Sequence, residues 1–177
     1  MEFPRRMLDH ADAIDALRAA DRVRWVVMDL ISKQVEAQEG IPFDWFEVLA
    51  VIAEQPDEAL KMADLATWTL HSKSGMTRLF DRIEEAGLVC RVTSEDDRRV
   101  VLATLTDRGR SLLERVIEPV VDILIGRFAS HLTAEEGRAI TATLNRILVA
   151  NGVEPQPRTE SRIRAKTAPK RVLDRNP

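Results

Sequence analysis

The chain has 177 residues, 45% hydrophobic and 31% charged, a mix that suits one globular domain with a sizeable core and argues against wholesale disorder. Its 26 Lys and Arg against 29 Asp and Glu give a formal net charge of −3, which excludes a globally basic nucleic-acid binder but not a local basic face. The single cysteine, Cys90, excludes an intramolecular disulfide framework and a multi-cysteine metal site, no apolar run approaches the ~20 residues of a membrane span, and with no apolar leader visible a reducing cytoplasm is the expected compartment.

Residues 8–37 carry Leu8, Ala11, Ile14, Leu17, Val23, Val27, Leu30, Ile31 and Val35 at roughly helical spacing, which predicts one long helix. A lone helix cannot satisfy so long a stripe, so partner helices, including those of a second chain, are expected. Gly40 and Pro42 break the pattern. A second helix follows with Phe46, Val48, Leu49, Ile52 and Ala53, stopping near Gln55–Pro56. A short helix over Met62–Leu70 buries Leu65, Ala66 and Leu70. A turn at His71–Ser72 comes next, with Ser72 as N-cap. The helix over Lys73–Ala86 places Met76, Leu79, Phe80 and Ile83 on one face, and Gly87 ends it.

The period then changes. Leu88–Thr93 and Val100–Leu105 are short and rich in β-branched residues, and the charged stretch SEDDRR between them makes a β-hairpin. Thr106 caps a long helix through Leu112, Leu113, Val116, Ile117, Val120, Val121, Leu124 and Phe128, with a kink expected at Pro119. Thr133–Glu136 reads as a capping box opening a last helix through Ala139, Ile140, Leu144, Ile147 and Leu148. Residues 151–177 hold four prolines and seven Lys and Arg against three Glu and Asp. Such a basic tail is expected to be disordered, either idle in solvent or adding phosphate contacts.

Short helix, tight turn, amphipathic helix and charged-tip hairpin make a helix-turn-helix followed by a wing. A helix fits the major groove of B-DNA and reads base edges through its N-terminal residues. Opposite its apolar face this helix carries Lys73, Ser74, Thr77 and Arg78, with Gly75 allowing close approach and Arg82 a turn further on. The wing tip offers Arg98 and Arg99, and a narrow A·T minor groove attracts arginine through its enhanced negative potential.

The run from Phe46 to Gly109 resembles the MarR family of bacterial transcriptional regulators. The matching segments are FEVLAVIAE, MADLATWTLHSKSGMTRLFDRIEEAGLV and EDDRRVVLATLTDRG. The family's wing signature falls on Asp97, Arg99, Leu105, Thr106 and Gly109, and its recognition-helix pattern on Ser72, Ser74, Thr77 and Arg78. The resemblance implies a mostly α fold with a small β-hairpin wing. It makes residues 1–150 a single domain, with 42–106 as the winged lobe and 8–37 plus 107–150 as a helical dimerisation region. It also implies a homodimer on a palindromic double-stranded DNA operator, usually a repressor, often released by a small aromatic or phenolic effector. Arg99 is then the minor-groove probe and Asp97 the residue that holds its side chain. Three acids at the tip, Glu95, Asp96 and Asp97, oppose phosphate approach, with Arg98 offsetting part of this.

Several residues carry more than one reading. Arg82 either touches phosphate or pairs with Glu85 or Asp81, and Arg91 on the first wing strand is a second candidate phosphate contact. Cys90 is expected to be a half-buried strand residue rather than a redox sensor, since no second cysteine stands by to resolve a sulfenate. His10, His71 and His131 lack ligand spacing, so no metal is expected. Arg22, Trp25, Met28, Trp45 and Phe46 are candidates for an effector pocket, the arginine as carboxylate partner, against ordinary core and solvated surface. No phosphate loop, nucleophile elbow or HExxH motif is present, so neither an enzyme nor a cofactor is expected. The alternative function is a winged-helix protein-interaction module without operator binding, favoured by the acidic wing tip.

Overall fold

A computed structural model describes residues 4–69 and 73–155. Their apolar periods resolve into α1 (Ala11–Glu39), α2 (Phe43–Ala53), β1 (Ala59–Lys61), α3 (Met62–Trp68), α4 (Lys73–Glu85), β2 (Val89–Thr93), β3 (Val101–Leu105), α5 (Asp107–Arg127) and α6 (Ala134–Ala150). A mostly helical chain with one small sheet is thus the observed architecture. No helix of the described residues is long and apolar enough to cross a membrane. The chain divides into two compact units. One comprises Met1–Phe43 with Val116–Thr133, and the other Asp44–Arg115 with Ala134–Pro177.

In the first unit the long stripe of α1 is buried only toward its C-terminal end, where Val27, Ile31 and Val35 recur every fourth residue. Its N-terminal half stays in solvent, with Leu17 71% and Trp25 66% exposed. The second half of α5 behaves alike. Val116 and Val120 are buried, while Ile117, Val121, Leu124 and Ile125, and Phe128 just past the helix end, face water. The helix continues through Pro119, so the kink expected there does not interrupt it.

The second unit holds the larger core. Phe46, Val48, Leu49 and Ile52 of α2, Leu65 of α3, Met76, Leu79, Phe80 and Ile83 of α4, and Leu112 and Leu113 of α5 are all buried in it. The sheet is antiparallel in the order β1-β3-β2, with Val89 opposite Leu105, Thr93 opposite Val101, and Leu60 opposite Ala103. Strands β2 and β3 start or end within a residue of the expected hairpin. Strand β1 is not foreseen in the sequence, because three residues cannot display an alternating period. It is entered through Asp57 and Glu58, both with left-handed φ (57° and 53°), which swing the chain from α2 onto the free edge of β3. α6 begins directly after Thr133 and has no buried residue, leaving Ile140, Leu144, Ile147 and Leu148 as an uncovered stripe.

Candidate nucleic-acid interface

Helix α4 is strongly two-faced. Met76, Leu79, Phe80 and Ile83 are buried to 3% exposure or less, which fixes the helix against the core and turns Ser74, Thr77, Arg78, Asp81 and Arg82 outward. This is the face predicted to read DNA. Ser72 and the Lys73 side chain lie outside the described residues, as do Leu70, His71 and the tail from residue 156. Helix α3, ahead of it, closes on buried Thr69, whose hydroxyl donates to the Leu65 carbonyl at 2.9 Å. Helix α4 ends where expected. Gly87 takes φ 72°, its N–H donates to the Glu84 carbonyl at 2.8 Å, and Leu88 N–H reaches the Ile83 carbonyl at 3.2 Å. That left-handed residue costs glycine nothing and turns the chain directly into β2.

The wing is a tight excursion between β2 and β3. Ser94 N–H donates to the Val100 carbonyl and Val100 N–H to the Asp97 carbonyl, both at 2.9 Å. The Asp97 carboxylate accepts the backbone N–H of Arg99 at 2.9 Å, a local turn that short acidic side chains favour. Asp97 therefore orders the tip through the main chain of Arg99, where the sequence reading expected a hold on its side chain. Arg98 and Arg99 are exposed, and among the described residues no ion pair engages either guanidinium.

The Leu-Thr-x-x-Gly segment has a definite job. Thr106 precedes α5 and its hydroxyl oxygen accepts the Gly109 N–H at 3.0 Å, an N-cap bond, while donating to the Gly87 carbonyl at 2.7 Å. Its own N–H donates to the Leu88 carbonyl at 3.1 Å. One side chain thus joins the end of α4 to the start of α5. Gly109 allows the approach: a Cβ there would lie 2.0 Å from the Leu88 carbonyl oxygen. Nearby, the Arg110 Nε–H donates to Glu58 at 2.8 Å and Nη1 to Asp107 at 2.9 Å. The Glu58 hydrogen bond and charge, with Asp107 adding to them, raise the Arg110 pKa above its ordinary value. The entry to β1 is thereby held to the first turn of α5.

Two arginines find partners the sequence did not reveal. Arg82, half exposed, stands 4.0 Å from Asp44 of α2 rather than pairing along its own helix with Glu85 or Asp81. Arg91, offered as a phosphate contact, is committed inward. Its guanidinium bonds Glu84 through Nη1 and Asp81 through Nη2, and its Cζ lies 4.7 Å from the centre of the Phe80 ring. A signal was available: Glu84 and Arg91 stand nearly equidistant from the reversal at Gly87, so the returning strand must bring them together.

Cys90 is half-buried on β2 opposite Thr104, with Sγ 3.1 Å from the Thr104 hydroxyl oxygen. Of the effector-pocket candidates, Arg22, Trp25 and Met28 belong to the first unit, with Arg22 and Trp25 exposed and Met28 half-buried. Trp45 and Phe46 belong to the second. Phe46 is ordinary core, whereas half-buried Trp45 has no hydrogen-bond partner for its indole N–H. Among the described residues no group of three or more His, Cys, Asp or Glu could hold a metal.

With this geometry in place, the likeness to known proteins is informative. Residues 39–100 match the family model described as MarR family. The HTH-type transcriptional repressor Rv2887 of Mycobacterium tuberculosis is 32% identical over 108 residues, which cover 61% of this chain and 76% of that protein. Two solved structures from Streptomyces coelicolor superpose well. AbsC, a MarR family transcriptional regulator, gives a TM-score of 0.69 at 28% identity over 77% of this chain and 92% of its own. Sco3205, of the same family and solved in complex with DNA, gives 0.68 at 27% identity over 82% and 90%.

Proposed function

Because the chain belongs to the MarR family of DNA-binding transcriptional regulators, we propose that it represses transcription as a homodimer seated on a palindromic operator. The observation that carries this reading is the outward face of α4. Its buried side is locked into the core, which aims Ser74, Thr77 and Arg78 away from the protein. Hydrogen-bonding side chains on such a face can reach base edges and phosphates in a major groove. Beside it the wing holds out Arg98 and Arg99, the latter as minor-groove probe. Lys73 opens the same helix, where the helix dipole favours phosphate, and Arg82 is the more distal contact.

The proposed division of labour makes residues 42–106 the DNA-reading lobe and 8–37 with 107–150 the dimerisation region. The uncovered stripes of α1, α5 and α6 support it. A soluble chain rarely leaves so many large apolar side chains in water without a partner. The work is done in the cytoplasm, where the operator is. Release by a small aromatic or phenolic effector completes the cycle, with half-buried Trp45 of the second unit as its candidate contact. The unpartnered indole N–H of Trp45 supports a polar group on that ligand.

The test is selection of bound fragments from the host genome by the purified protein, followed by footprinting. The expected result is an inverted repeat whose half-sites lie about one helical turn, ~34 Å, apart. Binding should weaken steeply with salt as counterions are released. Failure to enrich any fragment, even in dilute buffer, would overturn the reading.

A further inference from the structure

We propose that Arg91 is a positioning residue for operator binding: it fixes wing strand β2 to recognition helix α4 through Glu84 and Asp81, and does not itself bind phosphate. The inference rests on the reading that α4 and the wing grip DNA. An arginine on a wing strand would ordinarily be taken for a backbone-phosphate ligand. Here both terminal nitrogens of its guanidinium are already engaged. One arm of the guanidinium bonds the Glu84 carboxylate, the other meets Asp81 at 2.5 Å, and the plane rests over the Phe80 ring. The same Glu84 carboxylate accepts the backbone N–H of Arg91 at 2.9 Å, so it holds the strand and the side chain together. Phe80 is wholly buried, which makes the anchoring surface rigid. Two carboxylates around one cation also leave a local negative excess, and a phosphate would have to displace them to reach it.

The consequence for DNA follows from leverage. The wing tip lies about six residues beyond Arg91, two of them in β2 and the rest in the turn, a lever of roughly 15 Å. A tilt of about 10° at the anchor would move the tip by ~3 Å, half the ~6 Å width of the minor groove that Arg99 must enter. Fixing the strand on α4 therefore sets the spacing between the major-groove and minor-groove elements before DNA arrives.

The sign of one substitution separates this role from phosphate binding. Glu84→Gln takes away one of the two carboxylates that hold Arg91, and with it a negative charge. If Arg91 binds phosphate, affinity must rise; if it positions the wing, affinity must fall. The expected result is that Glu84→Gln and Arg91→Gln each weaken operator binding about tenfold, the scale of one charge-assisted hydrogen bond. The salt slope should stay unchanged, and the double variant should be no weaker than either single one. Arg91→Lys should be impaired as well, since one ammonium cannot span both carboxylates. In the free protein, trypsin should cut after Arg98 and Arg99 severalfold faster in both Gln variants while the thermal transition of the core persists. Tighter binding by Glu84→Gln, a salt slope shallower by ~0.9 in Arg91→Gln, or unchanged wing cleavage would overturn the proposal. If the parent protein binds no DNA, the functional reading fails on its own, and the cleavage rates still decide whether Arg91 fixes the wing.

Discussion

The Thr106 hydroxyl donates to the Gly87 carbonyl at 2.7 Å, tying the cap of α5 to the turn that ends α4. Because the same oxygen also accepts the Gly109 N–H, its loss would orphan a donor and an acceptor at once. Thr106→Val keeps the shape and removes both bonds, so it should destabilise the fold by about 1–2 kcal/mol, the usual range for a lost N-cap. Thr106→Ser should retain most of the stability. Urea unfolding of the two variants beside the parent checks this, and equal midpoints for Val and Ser would refute it.

Gly109 illustrates a conflict between local propensity and packing. Glycine inside a helix costs about 1 kcal/mol relative to alanine, yet an alanine Cβ here would meet the Leu88 carbonyl oxygen at 2.0 Å. The clash is with backbone, which cannot rotate away. Gly109→Ala should therefore destabilise by about 3 kcal/mol or more despite its better helix propensity. Thermal unfolding measures it, and a raised melting temperature would show that α5 can shift off the α4 turn at little cost.

Much of this architecture can be read from the residues. The i, i+3, i+4, i+7 set Met76, Leu79, Phe80 and Ile83 places α4 and its outward face, Gly87 marks the helix end, and the β-branched runs mark the hairpin. Those signals are local, so the chain displays them directly. What the sequence hides depends on tertiary meetings. Strand β1 is three residues long and owes its existence to the edge of β3, and the left-handed Asp57 and Glu58 carry no glycine to announce them. Charges are the hardest to assign, since any carboxylate within reach can claim an arginine. Arg82 meets Asp44, across 38 positions of sequence, in place of its helix neighbours, and Arg91 turns to Glu84 and Asp81 rather than outward. The acidic tip of the wing showed a carboxylate near Arg99, but not that its hydrogen bond would go to the main chain.

The uncovered stripe on α6 should carry the dimer. Ile140, Leu144 and Ile147 are each 42–53% exposed in the single chain, and burying a side chain of this size contributes about 1.5–3 kcal/mol. Leu144→Glu with Ile147→Glu should therefore weaken dimerisation by ~100-fold or more while leaving the helical content of the monomer unchanged. Sedimentation equilibrium and circular dichroism report the two effects separately. A double variant that stays dimeric at micromolar concentration would place the interface elsewhere.

Arg78 and Arg99 should contribute to DNA affinity without supporting the fold, since both side chains point to solvent. Arg78→Ala and Arg99→Ala are each expected to weaken operator binding at least severalfold and to leave the dimer intact. Titrations at several salt concentrations sort their roles. An arginine on phosphate takes ~0.9 from the slope of log affinity against log salt when removed, whereas one reading a base edge relaxes sequence preference at that position. Parent-like affinity in both variants would show that neither touches DNA.

Asp97 presents opposing effects that substitution can separate. Its carboxylate stabilises the tip by accepting the Arg99 N–H, yet it also places a negative charge where phosphates must approach. An asparagine amide oxygen can accept the same N–H, so Asp97→Asn keeps the turn and removes the charge. Relief of one like-charge contact at ~8 Å in water is worth about 0.5 kcal/mol, or roughly twofold in affinity at low salt. Asp97→Asn should therefore bind operator as tightly as the parent or about twice as tightly, the gain fading as salt rises. Asp97→Ala loses the turn as well, which frees the tip to sample many conformations, and should bind more weakly than Asp97→Asn at every salt concentration. Equal impairment in both variants would mean that the carboxylate acts on the Arg99 guanidinium in the complex, because only the charge is missing from the asparagine form.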